Sequence, residues 1–200
     1  NIQDPKIQGY LDILEAKAQR LKHLTEDVVE ASKISSGNIT MEYMNINFVE
    51  MINQTTGEFA EKFEKRNLQI VLNVPEKPVM VRTDGRRMWR VIENIYNNAA
   101  KYALEGTRVY ADLIEKEHTV EFSLKNISEQ PLNISADELT ERFIRGDVSR
   151  STEGSGLGLS IAKNLTELQG GKFELYLDGD LFKVTIVFPK AVVGQSVTKS

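Results

Sequence analysis

Asn94, Asn97 and Asn98 fall within five residues, in a stretch whose apolar residues Met88, Val91, Ile95, Ala99 and Tyr102 recur with helical spacing. Asparagine costs up to roughly 0.7 kcal/mol against alanine inside a helix, so a cluster of them there calls for a reason. Asn94, Asn98 and Lys101 are spaced i, i+4, i+7 and share one face, next to the apolar one. Two amide oxygens one turn apart suit Mg²⁺ that keeps phosphate oxygens and waters, and a lysine a turn further on can meet the anion. The same spacing also fits a polar helix face with no ligand. A second candidate is Gly154-Ser155-Gly156-Leu157-Gly158-Leu159, which runs straight into a helical pattern of Leu157, Ile161, Leu165 and Leu168. Glycines let the backbone approach a phosphate, and the first free N–H groups of the next helix carry partial positive charge. The run is neither a G-x-x-x-x-G-K-[ST] loop nor a dinucleotide fingerprint, and by itself it fits a flexible hinge better than a phosphate site.

The elements that must position these residues follow from periodicity and punctuation. Ile7, Leu11, Leu14, Ala18, Leu21 and Val28 form a heptad seam on one long helix, starting after Asp4-Pro5 and stopping near Ser35-Ser36-Gly37. Thr25 and Ser32 interrupt the seam, which needs partner helices to be covered. Residues 39–46 alternate as a strand, and Asn47 with Glu50 forms a capping pair for a helix to about Lys65. Short strands are expected over 68–74 and 79–81, and Asp84 caps the asparagine helix, 86–104. A hairpin spans 108–114 and 119–124. Residues 126–156 are largely polar, with one weak helical segment at 137–143, and read as a functional lid. A helix over 158–168 and a hairpin, 172–176 with 181–188, close the domain, and 190–200 read as a tail.

Composition narrows the class. The 200 residues are 40% apolar and 27% charged, with 25 basic against 29 acidic residues and a net charge of −4. That excludes a disordered chain and argues against binding nucleic acid through bulk charge. The absence of cysteine removes disulfides, thiol nucleophiles and cysteine-ligated metals. No apolar run approaches a membrane span, and an N-terminus without Met reads as an internal piece of a longer protein.

Taken together the motifs resemble those of bacterial sensor histidine kinases. Asn94-Ile-Tyr-Asn-Asn98-Ala-Ala-Lys101-Tyr102 resembles their asparagine box, Glu141-Arg-Phe143-Ile-Arg145-Gly-Asp their phenylalanine box, and Gly154-Ser-Gly-Leu-Gly158-Leu their second glycine box. The resemblance spans residues 7–188. It implies an α+β protein in which residues 1–37 are the second helix of a dimerisation hairpin. Residues 38–189 are then an ATP-binding α/β sandwich, a mixed sheet with helices on one face. It further implies ATP and Mg²⁺ as cofactors, with Asn98 and Asn94 on the metal or its phosphates, Lys101 on phosphate and Tyr102 against the nucleotide. Arg145 reaches the γ-phosphate, while Gly154, Gly156, Leu157 and Gly158 form the end of the lid. The expected partners are a response-regulator receiver domain and a second copy through a helical bundle, with no nucleic acid and no membrane contact in this segment. The segment is expected to be the cytoplasmic part of a protein anchored in the plasma membrane.

Two departures from the family pattern matter. Where the family has D-x-G-x-G after a strand, this chain reads Asn126-Ile-Ser-Glu-Gln-Pro131. An asparagine carbonyl can still accept from the adenine amino group, but without charge. Neither His23 nor His118 has the family's acceptor context, so the acceptor is expected on a helix outside this chain. Trp89 reads as core or interface, and Arg82, Arg86, Arg87 and Arg90 as a solvated helix start or a partner-facing patch. The competing readings are a nucleotide-sensing module without transfer activity and a serine kinase of the same ATPase fold.

Overall fold

The computed structural model describes residues 5–37, 39–132 and 157–191. In chain order the elements are α1 (Pro5–Ser35), β1 (Tyr43–Asn47), α2 (Phe48–Glu64), β2 (Gln69–Asn73), β3 (Met80–Asp84), α3 (Gly85–Tyr102), β4 (Arg108–Glu115), β5 (Thr119–Ile127), α4 (Gly158–Leu168), β6 (Lys172–Asp178) and β7 (Leu181–Pro189). The segment expected at 137–143 and most of the expected lid and tail lie outside the described residues.

Five strands form one mixed sheet in the order β2-β4-β5-β7-β6, with β2 parallel to β4 and the remaining pairs antiparallel. Strand alternation buries one face: Val109, Ala111 and Leu113 of β4, Val120, Phe122 and Leu124 of β5, and Phe182, Val184, Ile186 and Phe188 of β7. Against that face pack Phe48, Ile52, Phe59 and Phe63 of α2, Met88, Val91, Ile92, Ile95, Tyr96 and Ala99 of α3, and Ile161, Ala162 and Leu165 of α4. Helices on one face of one sheet make the expected α+β sandwich. At its centre Tyr96 stacks on Phe122 with ring centroids 6.2 Å apart, and its hydroxyl meets Thr56 Oγ1 at 2.8 Å. Burial pushes the Tyr96 phenol up to about 12, against only a small opposing effect of that hydrogen bond.

The local punctuation works as read, with the main differences at β1, β3 and β5, the last running to Ile127, into the expected lid, rather than stopping at Leu124. Asn47 caps α2 by accepting from Glu50 N–H, and Asp84 caps α3 by accepting from Arg87 N–H. β3 runs to Asp84 rather than stopping at Val81, and β1 begins at Tyr43 rather than Ile39. The two pair with each other antiparallel, Tyr43 opposite Asp84, as a separate two-stranded sheet. The fold also continues into the start of the expected tail, where Lys190 N–H donates to His118 O and Ala191 N–H to Met80 O.

α1 is one continuous helix, but the face it turns to the domain is not the heptad seam. Leu24, Asp27, Glu30, Ala31 and Ile34 are covered, and Ile34 packs against the core. Ile7, Leu11, Leu14, Leu21 and Val28 of the seam are exposed.

Candidate functional site

α3 carries the three asparagines to three different environments. Asn97 turns toward α2, where its Oδ1 accepts from Lys62 Nζ at 3.2 Å. Asn94 is 7% exposed, and its Nδ2 has no hydrogen-bond partner among the described residues. Its Oδ1 faces Gly158, so close that a Cβ at that glycine would lie 3.1 Å away. Asn98, one turn on, is half-buried, Lys101 is exposed and Tyr102 is half-buried. Of the expected i, i+4, i+7 face, Asn94 is the residue that lies against the start of α4, at Gly158.

That start is open. α4 begins after Leu157, which has helical dihedrals (φ −90, ψ −16) and makes no side-chain capping bond. Ser160 instead donates its hydroxyl back to Leu157 O at 2.7 Å. The first N–H groups of an uncapped helix present partial positive charge, and here they do so beside the Asn94 amide.

The third wall comes from the sheet. Leu104 N–H donates to Ile127 O at 2.8 Å and Glu129 N–H to Tyr102 O at 2.8 Å, so the end of β5 lies beside the end of α3. Asn126, next to last in β5, is 3% exposed. Its Nδ2 donates to Ile127 O at 3.1 Å, while its Oδ1 has no partner among the described residues. A buried acceptor without a donor is costly, and an amino group of a ligand satisfies it. Arg145, Gly154 and Gly156 lie outside the described residues.

Both ends of α3 are fastened. Asp84 Oδ1 accepts from Arg87 N–H and Oδ2 from Glu42 N–H, both at 3.0 Å. Burial raises the Asp84 carboxyl, but those donors, the Arg86 N–H and the Arg87 guanidinium outweigh it and hold it below the usual carboxylate range. At the other end Arg66 donates to Ala100 O at 3.1 Å and to Lys101 O, and pairs with Glu129 at 2.8 Å.

The arginines at the start of α3 divide. Arg82 and Arg86 are exposed, whereas Arg87 and Arg90 turn to α1. Arg87 pairs with Glu30 at 2.9 Å, and Arg90 with Asp27, with Glu30 at 3.3 Å and with Glu93 at 2.8 Å. Sequence reasoning missed this cluster. The signal was an acidic i, i+3 pair, Asp27 and Glu30, facing a basic i, i+3 pair, Arg87 and Arg90. His23, exposed on α1, stands one turn before Asp27, and His118 is exposed in the β4–β5 turn.

Residues 83–192 match the histidine kinase-, DNA gyrase B- and HSP90-like ATPase family, and the chain belongs to it. Among its relatives are sensor histidine kinases. The chain is 27% identical over 196 residues to the sensor histidine kinase GacS of Pseudomonas protegens, covering 93% of this chain and 21% of that protein. Full-length ShkA in complex with AMPPNP superposes with a TM-score of 0.77 at 18% identity, over 96% of this chain and 41% of that one. The histidine kinase ThkA in complex with the response regulator TrrA gives a TM-score of 0.70 at 22% identity, over 95% and 53%. The chain spans between about a tenth and a half of the length of the curated relatives it matches. Among the described residues no helix is long and apolar enough to cross a membrane.

Proposed function

We propose that the pocket between α3, the start of α4 and the end of β5 holds ATP with Mg²⁺, and that the chain orients its γ-phosphate for transfer to a histidine. The observation that carries this reading is the pair of buried amides without full partners, Asn94 on α3 and Asn126 on β5, flanking the uncapped start of α4. Their chemistry fits the two ends of the nucleotide. Asn126 Oδ1 accepts from the adenine amino group, and Asn94 and Asn98 serve the phosphates and the metal. Amide orientation at Asn94 follows from the hydrogen-bond network, and its free end can donate to a phosphate or, turned over, present oxygen to a cation. Mg²⁺, when bound, neutralises charge on the phosphates. The chain's own part is positional: α4 aims N–H groups at the phosphates, Lys101 and Arg145 bring positive charge to them, Tyr102 packs against the nucleotide, and Gly154, Gly156, Leu157 and Gly158 close over them. Phosphoryl transfer asks little covalent help of a protein, so positioning and charge neutralisation are most of the catalysis.

The rest of the proposal extends to the longer protein. Residues 1–37 form one helix of a dimeric four-helix bundle, 38–189 the catalytic domain and 190–200 a tail. The exposed seam of α1 supports the bundle, since a single helix cannot cover it. The acceptor histidine stands on another helix of that bundle, and the phosphoryl group passes on to an aspartate of a response regulator. The likeness to ThkA, solved with its response regulator TrrA, supports that partner. The longer protein is anchored in the plasma membrane, with this segment in the cytoplasm.

The test is transfer in the full-length protein. With γ-labelled ATP, acid-labile label is expected on a bundle histidine, unchanged in His23→Gln and His118→Gln. Label lost in His23→Gln identifies the wrong acceptor. ATP binding without label favours a nucleotide-sensing module.

A further inference from the structure

α3 and α4 carry opposite walls of the nucleotide pocket, so their relative position along the helix axes sets where the α4 N–H groups lie against Asn94 and Asn98. Near Gly158 the nearest side chain of α3 is that of Asn94. At the far end of α4 the contact is of another kind. Gln169, 5% exposed, accepts at Oε1 from the Thr83 hydroxyl at 2.5 Å and from Asp84 N–H at 3.0 Å, and donates from Nε2 to Leu165 O at 2.9 Å. Thr83 is fully buried, and Asp84 is the residue that caps α3. One buried side chain thus joins the C-terminal turn of α4 to the cap of α3, with its donor and acceptor both used.

We propose that Gln169 is a positioning residue for the nucleotide site: it sets the axial register of α4 against α3 and so places the phosphate-facing N–H groups. The lengths close. The helices run antiparallel, since Gln169 lies by Asp84 and Gly158 by Asn94. Eleven steps from Gly158 to Gln169 at about 1.5 Å each span roughly 16 Å, and ten steps from Asp84 to Asn94 roughly 15 Å. With one end tied, the other is brought level with Asn94. Apolar packing alone leaves helices free to slide by a fraction of a turn, because it is not directional. A buried amide that must find two donors and an acceptor does not permit that slide without leaving polar groups unpaired. Asn126 belongs to the sheet, and its place does not depend on this register.

The proposal rests on the nucleotide reading above and predicts a selective defect. Gln169→Met keeps the bulk and removes the hydrogen bonds. It should weaken ATP binding roughly tenfold while leaving adenosine binding unchanged, since only the phosphate end is displaced. In nucleotide-free protein the NMR signals of the Gly158 amide and the Asn94 side chain should move. Thr83→Val should show the same pattern more weakly and Thr83→Ser should not, so the assignment does not depend on Gln169→Met folding. Binding is read well below each variant's melting temperature, where lost stability alone leaves the ATP-to-adenosine ratio unchanged. A folded Gln169→Met with the wild-type ratio and unmoved Gly158 and Asn94 signals overturns the proposal, as does a wild-type pattern in Thr83→Val. Wild-type protein that binds ATP no better than adenosine defeats the nucleotide reading instead, and the two NMR signals still decide the register.

Discussion

Replacing Arg90 should uncouple α1 from the catalytic domain. Its guanidinium meets Asp27, Glu30 and Glu93, and its side chain is 20% exposed, with Asp27 at 11% and Glu30 at 14%. Burial lowers the Arg90 pKa, but Glu93, Asp27 and Glu30 outweigh it and hold the guanidinium above its ordinary value. Exposed ion pairs contribute at most about 1 kcal/mol. Removing one partner of a buried pair costs about 3–5 kcal/mol. The exposures here lie between those limits, so Arg90→Met, which keeps the apolar stem, should cost about 2 kcal/mol. In a double-mutant cycle with Asp27→Asn the coupling should be about 1 kcal/mol at 0.1 M salt and smaller at 1 M, where the screening length falls to about 3 Å. Urea unfolding followed by the single tryptophan, Trp89, which precedes Arg90 on α3, reads the cycle. Coupling below about 0.3 kcal/mol at low salt refutes the reasoning and makes the cluster an ordinary surface contact.

Asp84→Ala removes the cap of α3 and should cost about 1–2 kcal/mol in denaturant unfolding. Because the folded Asp84 carboxyl titrates below its unfolded value of about 3.9, its contribution is complete above that pH and disappears as pH falls through the folded value. Asp84→Asn should therefore show a shallower loss of stability in acid, and an unchanged acid limb contradicts this. Tyr96 titrates at about 12 in the fold, so its contribution is complete below about pH 10 and is lost as pH rises toward 12. Tyr96→Phe should flatten that alkaline loss and cost about 1 kcal/mol at neutral pH through the bond to Thr56. Gly158→Ala puts a methyl 3.1 Å from Asn94 Oδ1 and should lower ATP affinity roughly tenfold with little change in melting temperature. Unchanged affinity there argues that Asn94 does not serve the nucleotide.

Some local signals were legible to the residue. α4 occupies Gly158–Leu168 as its leucine spacing and flanking glycines require, and the caps at Asn47 and Asp84 sit where short polar side chains precede apolar periodicity. β3 was read short because Arg82-Thr83-Asp84 looks polar. Thr83 and Asp84 are nevertheless buried, satisfied by Gln169, which lies far away in the chain. The β1–β3 pairing and the α1–α3 ion pairs are likewise non-local, and no periodicity reports a partner in another element. At the site, the spacing of Asn94 and Asn98 identified one face, and only packing shows that Asn97 turns to Lys62. The seam of α1 was legible as a stripe, but the face docked on the domain, Leu24, Ala31 and Ile34 around Asp27, carries a sparser apolar pattern than the seam.

The central claim, that Asn94, Asn98 and the start of α4 form a Mg²⁺-dependent ATP site, is tested most directly by calorimetric titration of the chain with ATP, with and without Mg²⁺. Asn98 offers only an uncharged oxygen, useful to a cation already held by phosphates. Wild-type protein should bind ATP measurably only with Mg²⁺. Asn98→Ala, with an unchanged circular dichroism spectrum, should bind at least tenfold more weakly, a loss of about 1.4 kcal/mol. Equal affinities with and without the metal, or in wild type and Asn98→Ala, contradict the account.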